Sequence, residues 1–187
     1  MDNAVYLKII YFNLKQKENG DGAMKNKTEK ATFAAGCFWH VEEAFMHTKG
    51  VIKTTVGYIG GHMENPTYKD VCGDGTGHAE AVQVEFDPKL VSYEELLDRF
   101  WGVHDPTSYH KQGPDVGSQY RAAIFYHNEK QKQAALKSKE KLQKSEKYKN
   151  KKIVTEVTKA SKFYPAEEHH QKYFQKHKLQ KMFMCGA

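Results

Sequence analysis

A mixed α/β (α+β) domain is the fold class this sequence predicts, and three observations carry it. Segments with the two-residue period of strands alternate along the chain with segments of helical period. Capping patterns mark where helices open, and turns rich in glycine and proline separate the elements. The 187 residues suit one domain, with room for a core that needs no disulfide staples.

The first strand is read at 31–35, where Ala31, Phe33 and Ala35 alternate with Thr32 and Ala34. Gly36 permits a sharp turn, and Phe38, Val41 and Phe45 then recur at helical spacing, so a helix opens directly behind Cys37. A thiol so placed faces unpaired N–H groups and the positive end of the helix dipole, which predicts a lowered pKa. The bland alternative is a buried cysteine packed as a small hydrophobe. Residues 51–58 read as β-rich, and Gly57-Tyr58-Ile59-Gly60-Gly61 with Asn65-Pro66-Thr67-Tyr68 forms a long turn-rich connection. Cys72 falls in a glycine-rich loop, where an unreactive thiol is expected. From Thr76 to Phe86, Val82, Val84 and Phe86 share one strand face and Glu80 falls in register with them. A carboxyl on that face either pairs with a cation or keeps its proton, because an isolated buried charge is costly. Glu80 is therefore a candidate general acid, with a salt-bridged or solvated strand-end glutamate as the alternative.

Ser92 and Glu95 form a capping-box pattern ahead of Leu96, Leu97, Phe100 and Trp101, which predicts a helix stopping near His104-Asp105-Pro106. A second turn-rich loop, 107–118, leads to a strand at 120–126. Asn128 with Gln131 opens a lysine-rich amphipathic helix reaching about Lys147, whose charges read as a solvated face. A strand at 153–157 and a helix at 166–177 follow. The adjacent Glu167, Glu168, His169 and His170 point in different directions on such a helix, so no metal is expected. Cys185 lies on the terminal stretch, where a mobile tail is expected.

Composition removes several function classes. Three cysteines, at 37, 72 and 185, with no C-x-x-C spacing make neither a disulfide framework nor a zinc site, so a reducing, cytoplasmic setting is the default. The net charge is +6, yet 27 of the 29 basic residues are lysine. Base and phosphate readout leans on bidentate arginine, so nucleic acid is not expected as a partner. The apolar run 4–12 is broken by Lys8 and follows Asp2, so it resembles neither a signal peptide nor a membrane span, and no membrane association is expected. Residues 1–29 read as an N-terminal extension and 30–187 as a single domain.

Taken together, Gly36-Cys37-Phe38-Trp39, Gly57-Tyr58-Ile59-Gly60-Gly61, Asn65-Pro66-Thr67-Tyr68, Thr76-Gly77-His78-Ala79-Glu80, His104-Asp105-Pro106, Asp115 with Gln119-Tyr120-Arg121, and Phe163-Tyr164 resemble the type A peptide methionine sulfoxide reductases over roughly 31–174. The resemblance implies a two-layer sandwich around a mixed β-sheet, ferredoxin-like in its strand plan. It implies reduction of methionine S-sulfoxide, free and in proteins, for the repair of oxidised proteins under oxidative stress. Cys37 then resembles the nucleophile, Phe38 and Trp39 the methyl-binding wall, and Glu80, Tyr68 and Tyr120 the groups around the sulfoxide oxygen. Asp115 resembles a second acidic residue hydrogen-bonded into the site. His40 stands where glycine is commoner, and the expectation is a changed helix start with the chemistry untouched.

The residue chemistry agrees with that transfer. A sulfoxide oxygen leaves poorly, so attack on sulfur needs a proton donor at oxygen, which a desolvated carboxyl can be. The product at Cys37 is a sulfenic acid that condenses with a second thiol, and thioredoxin or another external dithiol reduces the disulfide without a bound cofactor. Cys185, near the end of the chain, is the expected resolving thiol in preference to Cys72. A monomer is expected. Two rivals are a cysteine acyl hydrolase, which needs a histidine base and an orienting Asn or Asp, and a basic RNA-binding module, whose binding would vanish at moderate salt.

Overall fold

The computed structural model describes residues 28–177. The extension up to residue 27 and the tail bearing Cys185 lie outside the described residues.

β1 (Glu29–Ala35) leads into α1 (Phe38–Met46), then β2 (Val51–Ile59), the short α2 (Tyr68–Cys72), β3 (Ala79–Phe86) and α3 (Tyr93–Gly102). A two-residue hairpin, β4 (Lys111–Gln112) with β5 (Asp115–Val116), and a 3-10 turn at Ser118–Tyr120 precede β6 (Ala122–Tyr126). α4 (Glu129–Gln143), β7 (Glu156–Lys159), β8 (Tyr164–Pro165) and α5 (Tyr173–Lys176) complete the order. Six strands form one sheet in the order β7-β6-β1-β3-β2-β8, with β6 and β7 parallel and the other neighbours antiparallel. β1-α1-β2-β3-α3-β6 is the β-α-β-β-α-β succession, its strands ordered β6-β1-β3-β2, so the sheet is mixed and its centre ferredoxin-like.

Alternation places the core on one face of the sheet. Phe33, Val56, Tyr58, Val82, Val84, Phe86 and Ile124 are buried together with Phe45, Leu96, Leu97 and Phe100 from α1 and α3. Phe33 stacks on Phe45 at 5.0 Å and on Phe100 at 5.2 Å between ring centroids. The opposite face carries the smaller set Ala34, Ile59, Ala79, Ala81, Ala123 and Phe125, covered by Ala160 and Phe163.

The capping signal read at α3 is made in full and that at α4 in half. Ser92 accepts from the Glu95 N–H while the Glu95 carboxylate accepts from the Ser92 N–H, and Asn128 accepts from the Gln131 N–H. The Gln131 side chain does not return to its cap; it accepts from the His127 N–H and donates to the Lys30 carbonyl on β1. α4 ends at Gln143, short of Lys147, because the Gln143 amide donates to the carbonyls of Tyr148 and Lys151 and accepts from the Ile153 N–H, wrapping the chain into a turn.

Four local expectations are corrected. Tyr120 closes a 3-10 turn and does not start a strand, since Gly117 at φ +145° redirects the chain just before it. The strand expected at 153–157 pairs only from Glu156 to Lys159, because the Val154 N–H goes to the Pro106 carbonyl. Residues 68–72, read as loop, form a helix under a Thr67/Asp70 capping box. The helix expected at 166–177 shrinks to Tyr173–Lys176, because side chains tie its first half to the sheet edge. Glu167 accepts from the Tyr68 N–H and the Tyr58 hydroxyl, and Gln171 pairs with the N–H and carbonyl of Val56.

Glu42 is the inner anchor of that strap. It is buried on α1, and its carboxylate accepts from the Thr54 hydroxyl at 2.9 Å and from the N–H of Lys172, itself at φ +53°, at 2.7 Å. Glu42→Ala leaves both donors without a partner in the interior. It is expected to lower the unfolding free energy by ~2–4 kcal/mol, read from urea denaturation, and to raise amide exchange at 167–177.

Candidate active site

The junction between β1 and α1 builds the site. Gly36 has φ +88°, and a Cβ there would stand 2.7 Å from Cβ of Gln112, so only glycine fits both the turn and the neighbour. Cys37 follows as the N-cap of α1, making no side-chain cap bond, and Phe38, Trp39 and His40 form the first turn. β3 lies beside β1 and delivers Glu80 beneath that turn. The Glu80 carboxylate is 1% exposed and accepts a hydrogen bond from the Phe38 N–H at 3.0 Å. Among the described residues no cation pairs with it, and its hydrogen-bond partner is that N–H.

An open cavity of about 550 Å³ collects the rest. Cys37, Phe38, Trp39, Tyr68, Glu80, Asp115 and Tyr120, scattered over 84 positions of sequence, all line it. Cys185 lies outside the described residues. Tyr68 comes from the first turn of α2, Asp115 from the β4–β5 hairpin, and Tyr120 from the 3-10 turn. Arg121 fastens that turn by donating to the carbonyls of Ser118 and Gly77. The aromatic wall is itself supported: Tyr173 stacks on Trp39 at 3.8 Å and 9°, and the buried His170 ring packs against Phe38, Trp39 and Tyr68. His78 serves the loop, accepting from the Gly61 N–H and bonding the Met63 carbonyl.

Burial governs protonation here. It pushes Glu80 up to about 8, helped by the nearby Asp115 charge and opposed by the Phe38 N–H, so the carboxyl holds its proton at neutral pH. The thiol departs from its expectation. Cys37 is pushed up to about 12, first by burial and then by the charges of Glu80 and Asp115. The N–H groups of Trp39 and His40 pull it down as a helix start should, but desolvation beside two carboxyls outweighs them. Burial also raises Tyr68 and Tyr120, so both phenols are donors throughout the neutral range. Cys72 ends α2, exposed, with the Tyr68 hydroxyl hydrogen-bonded to its thiol. The signals missed in the sequence are Thr67-x-x-Asp70, which opens α2, and the pairing of Glu167 with Tyr58 and Tyr68.

A thiol, a protonated carboxyl, two phenols and an aromatic pair lining one cavity are the equipment of a redox thiol enzyme. The family model described as peptide methionine sulfoxide reductase matches residues 29–185, and the MsrA of Methanosarcina acetivorans is 65% identical over 148 residues, 79% of this chain and 78% of that one. The chain belongs to the peptide methionine sulfoxide reductase family and is an enzyme of that activity. Among solved structures, reduced Mxr1 of Saccharomyces cerevisiae matches with TM-score 0.77 at 37% identity, covering 82% of this chain and 88% of that one. Mxr1 in complex with Trx2 matches with TM-score 0.57 at 29% identity, over 80% and 86%. Among the described residues, no helix is long and apolar enough to cross a membrane.

Proposed function

We propose that this chain reduces the S epimer of methionine sulfoxide, free and in proteins, with Cys37 as nucleophile and thioredoxin as the recycling dithiol. The observation that carries the reading is the buried, protonated Glu80 held under the helix turn that presents Cys37. Glu80 protonates the sulfoxide oxygen, Tyr68 and Tyr120 orient it, and the methyl group lies on Phe38 and Trp39. Asp115 keeps the Glu80 proton in place by its charge. Donors, an aromatic wall and a thiol lining one cavity offer three points of contact, enough to separate the epimers of a pyramidal sulfur. No bound cofactor or metal is required, and one chain supplies every group, in keeping with a monomer working in a reducing, cytoplasmic setting to repair oxidised proteins. An acyl hydrolase is disfavoured because the Phe38 N–H, the natural oxyanion donor beside the thiol, is already bonded to Glu80. A thioredoxin-coupled assay with each sulfoxide epimer tests the reading: turnover of the S epimer alone is expected, and equal use of both overturns it.

Cys185 is proposed as the resolving thiol. The described chain reaches His177, which stacks on Tyr173, the ring lying on Trp39. Eight further residues span up to ~26–29 Å, so Cys185 can reach Cys37 from there. The relative solved with Trx2 supports a dithiol of that class. Cys185→Ser is expected to release one methionine per chain and then stall with thioredoxin, while dithiothreitol restores turnover. A Cys37–Cys72 linkage in peptide maps of the oxidised enzyme would overturn the assignment.

A further inference from the structure

We infer that His40 is the proton acceptor of the Cys37 thiol, an inference that rests on the reading of Cys37 as nucleophile. The need arises from the site's own protonation. With Glu80 held as the acid for the sulfoxide oxygen, the Cys37 proton has no acceptor among the tyrosines, which are donors in the same range.

His40 answers that need by position. Cys37 is the N-cap of α1 and His40 its third residue, a spacing that sets two side chains on the same side of a helix's first turn. The imidazole lines the cavity that holds the thiol, Glu80 and Asp115. Its ring is set edge-on against Phe174, with centroids 5.1 Å apart at 67°. A helix N-terminus disfavours imidazolium, and partial burial acts in the same direction, so the ring is neutral and able to accept at pH 7. The negative charge of Asp115, on β5 and lining the same cavity, favours the cation once the proton has arrived. The other titratable groups around the cavity are Cys37, Glu80, Tyr68 and Tyr120.

The step balances without a further reagent. His40 takes the thiol proton, the Cys37 sulfur bonds to the substrate sulfur as the sulfoxide oxygen receives the Glu80 proton, and that hydroxyl then passes to the Cys37 sulfur as the bond between the two sulfurs breaks. Cys37 is oxidised by two electrons to sulfenic acid and the substrate is reduced by two to the thioether. The imidazolium then returns a proton to Glu80 through water.

Single-turnover formation of the sulfenic acid, followed against pH with methionine S-sulfoxide, tests the assignment. The native enzyme is expected to lose rate on the acid side as His40 protonates, below the ordinary imidazole range, and on the alkaline side near 8 as Glu80 ionises. His40→Gln should remove the acid limb and slow the step at pH 7 by ~10²-fold. His40→Ala, which leaves a gap open to solvent, should regain rate with added imidazole in proportion to the neutral form. An unchanged acid limb in His40→Gln, or no imidazole response in a folded His40→Ala, overturns the role and passes the proton to Asp115. If the native enzyme forms no sulfenic acid at Cys37, it is the nucleophile reading that fails, and the two failures are thereby distinct.

Discussion

Cys37→Ser is expected to abolish sulfoxide reduction, with turnover falling by at least ~10³-fold and no sulfenic acid formed. A hydroxyl of nearly the same shape remains at the helix start, but it cannot supply a nucleophile that accepts oxygen from sulfur and later yields a disulfide. The fold should survive, because the Cys37 side chain makes no cap bond to α1 and is only half-buried. Unchanged circular dichroism and thermal midpoint, measured beside sulfoxide-dependent oxidation of dithiothreitol, separate loss of chemistry from loss of structure. Activity above a few per cent in a serine protein free of native enzyme would remove Cys37 from the role.

The resting thiol sharpens that expectation. Pushed up to about 12, it is protonated at pH 7 and alkylates slowly by itself. The charge on Glu80 contributes to the rise, so the neutral form of that carboxyl relieves part of it. In the proposed mechanism, the acid at the substrate oxygen therefore also eases the birth of the thiolate beside it.

Where the sequence was readable, local patterns set the structure. The alternation in 31–35 and 82–86, the capping pair Ser92/Glu95 and the glycine before Cys37 all describe interactions between residues close in the chain, and each appears in the fold. Glu80 was legible for the same reason, as a carboxyl on the apolar phase of a strand. The thiol pKa was not, because the helix start is local while burial and the Glu80 and Asp115 charges come from other elements. The strap at 167–172 failed likewise. Its helical spacing is real, but Glu167, Gln171 and Lys172 spend their hydrogen bonds on Tyr58, Tyr68, Val56 and Glu42, partners about 100 or more positions away. Tyr120 was assigned to the wrong element and still reached the cavity, since the 3-10 turn ends where the strand was expected to begin.

Glu80→Gln carries the second large effect, and its sign with pH follows from burial. The amide can still accept from the Phe38 N–H, so the turn presenting Cys37 should persist, but it holds no acidic proton. At pH 7 the native carboxyl is the protonated donor, and the variant's single-turnover rate is expected to be lower by ~10²–10⁴-fold. Above about 8 the native carboxyl ionises, so the gap between the two proteins narrows as the native rate falls. Stability runs the other way. A carboxyl whose folded pKa is raised above its unfolded value binds its proton more tightly in the folded state, so the native protein loses stability as pH rises from the ordinary glutamate range to about 8. Glutamine has no such charge to bury. Urea unfolding of the two proteins at pH 5 and pH 9 should therefore show the variant gaining on the native enzyme at the higher pH, while single-turnover rates at pH 7 show it far slower. An equal rate at pH 7 would leave Glu80 a structural residue, and a constant stability difference across that interval would mean that its carboxyl is not held protonated.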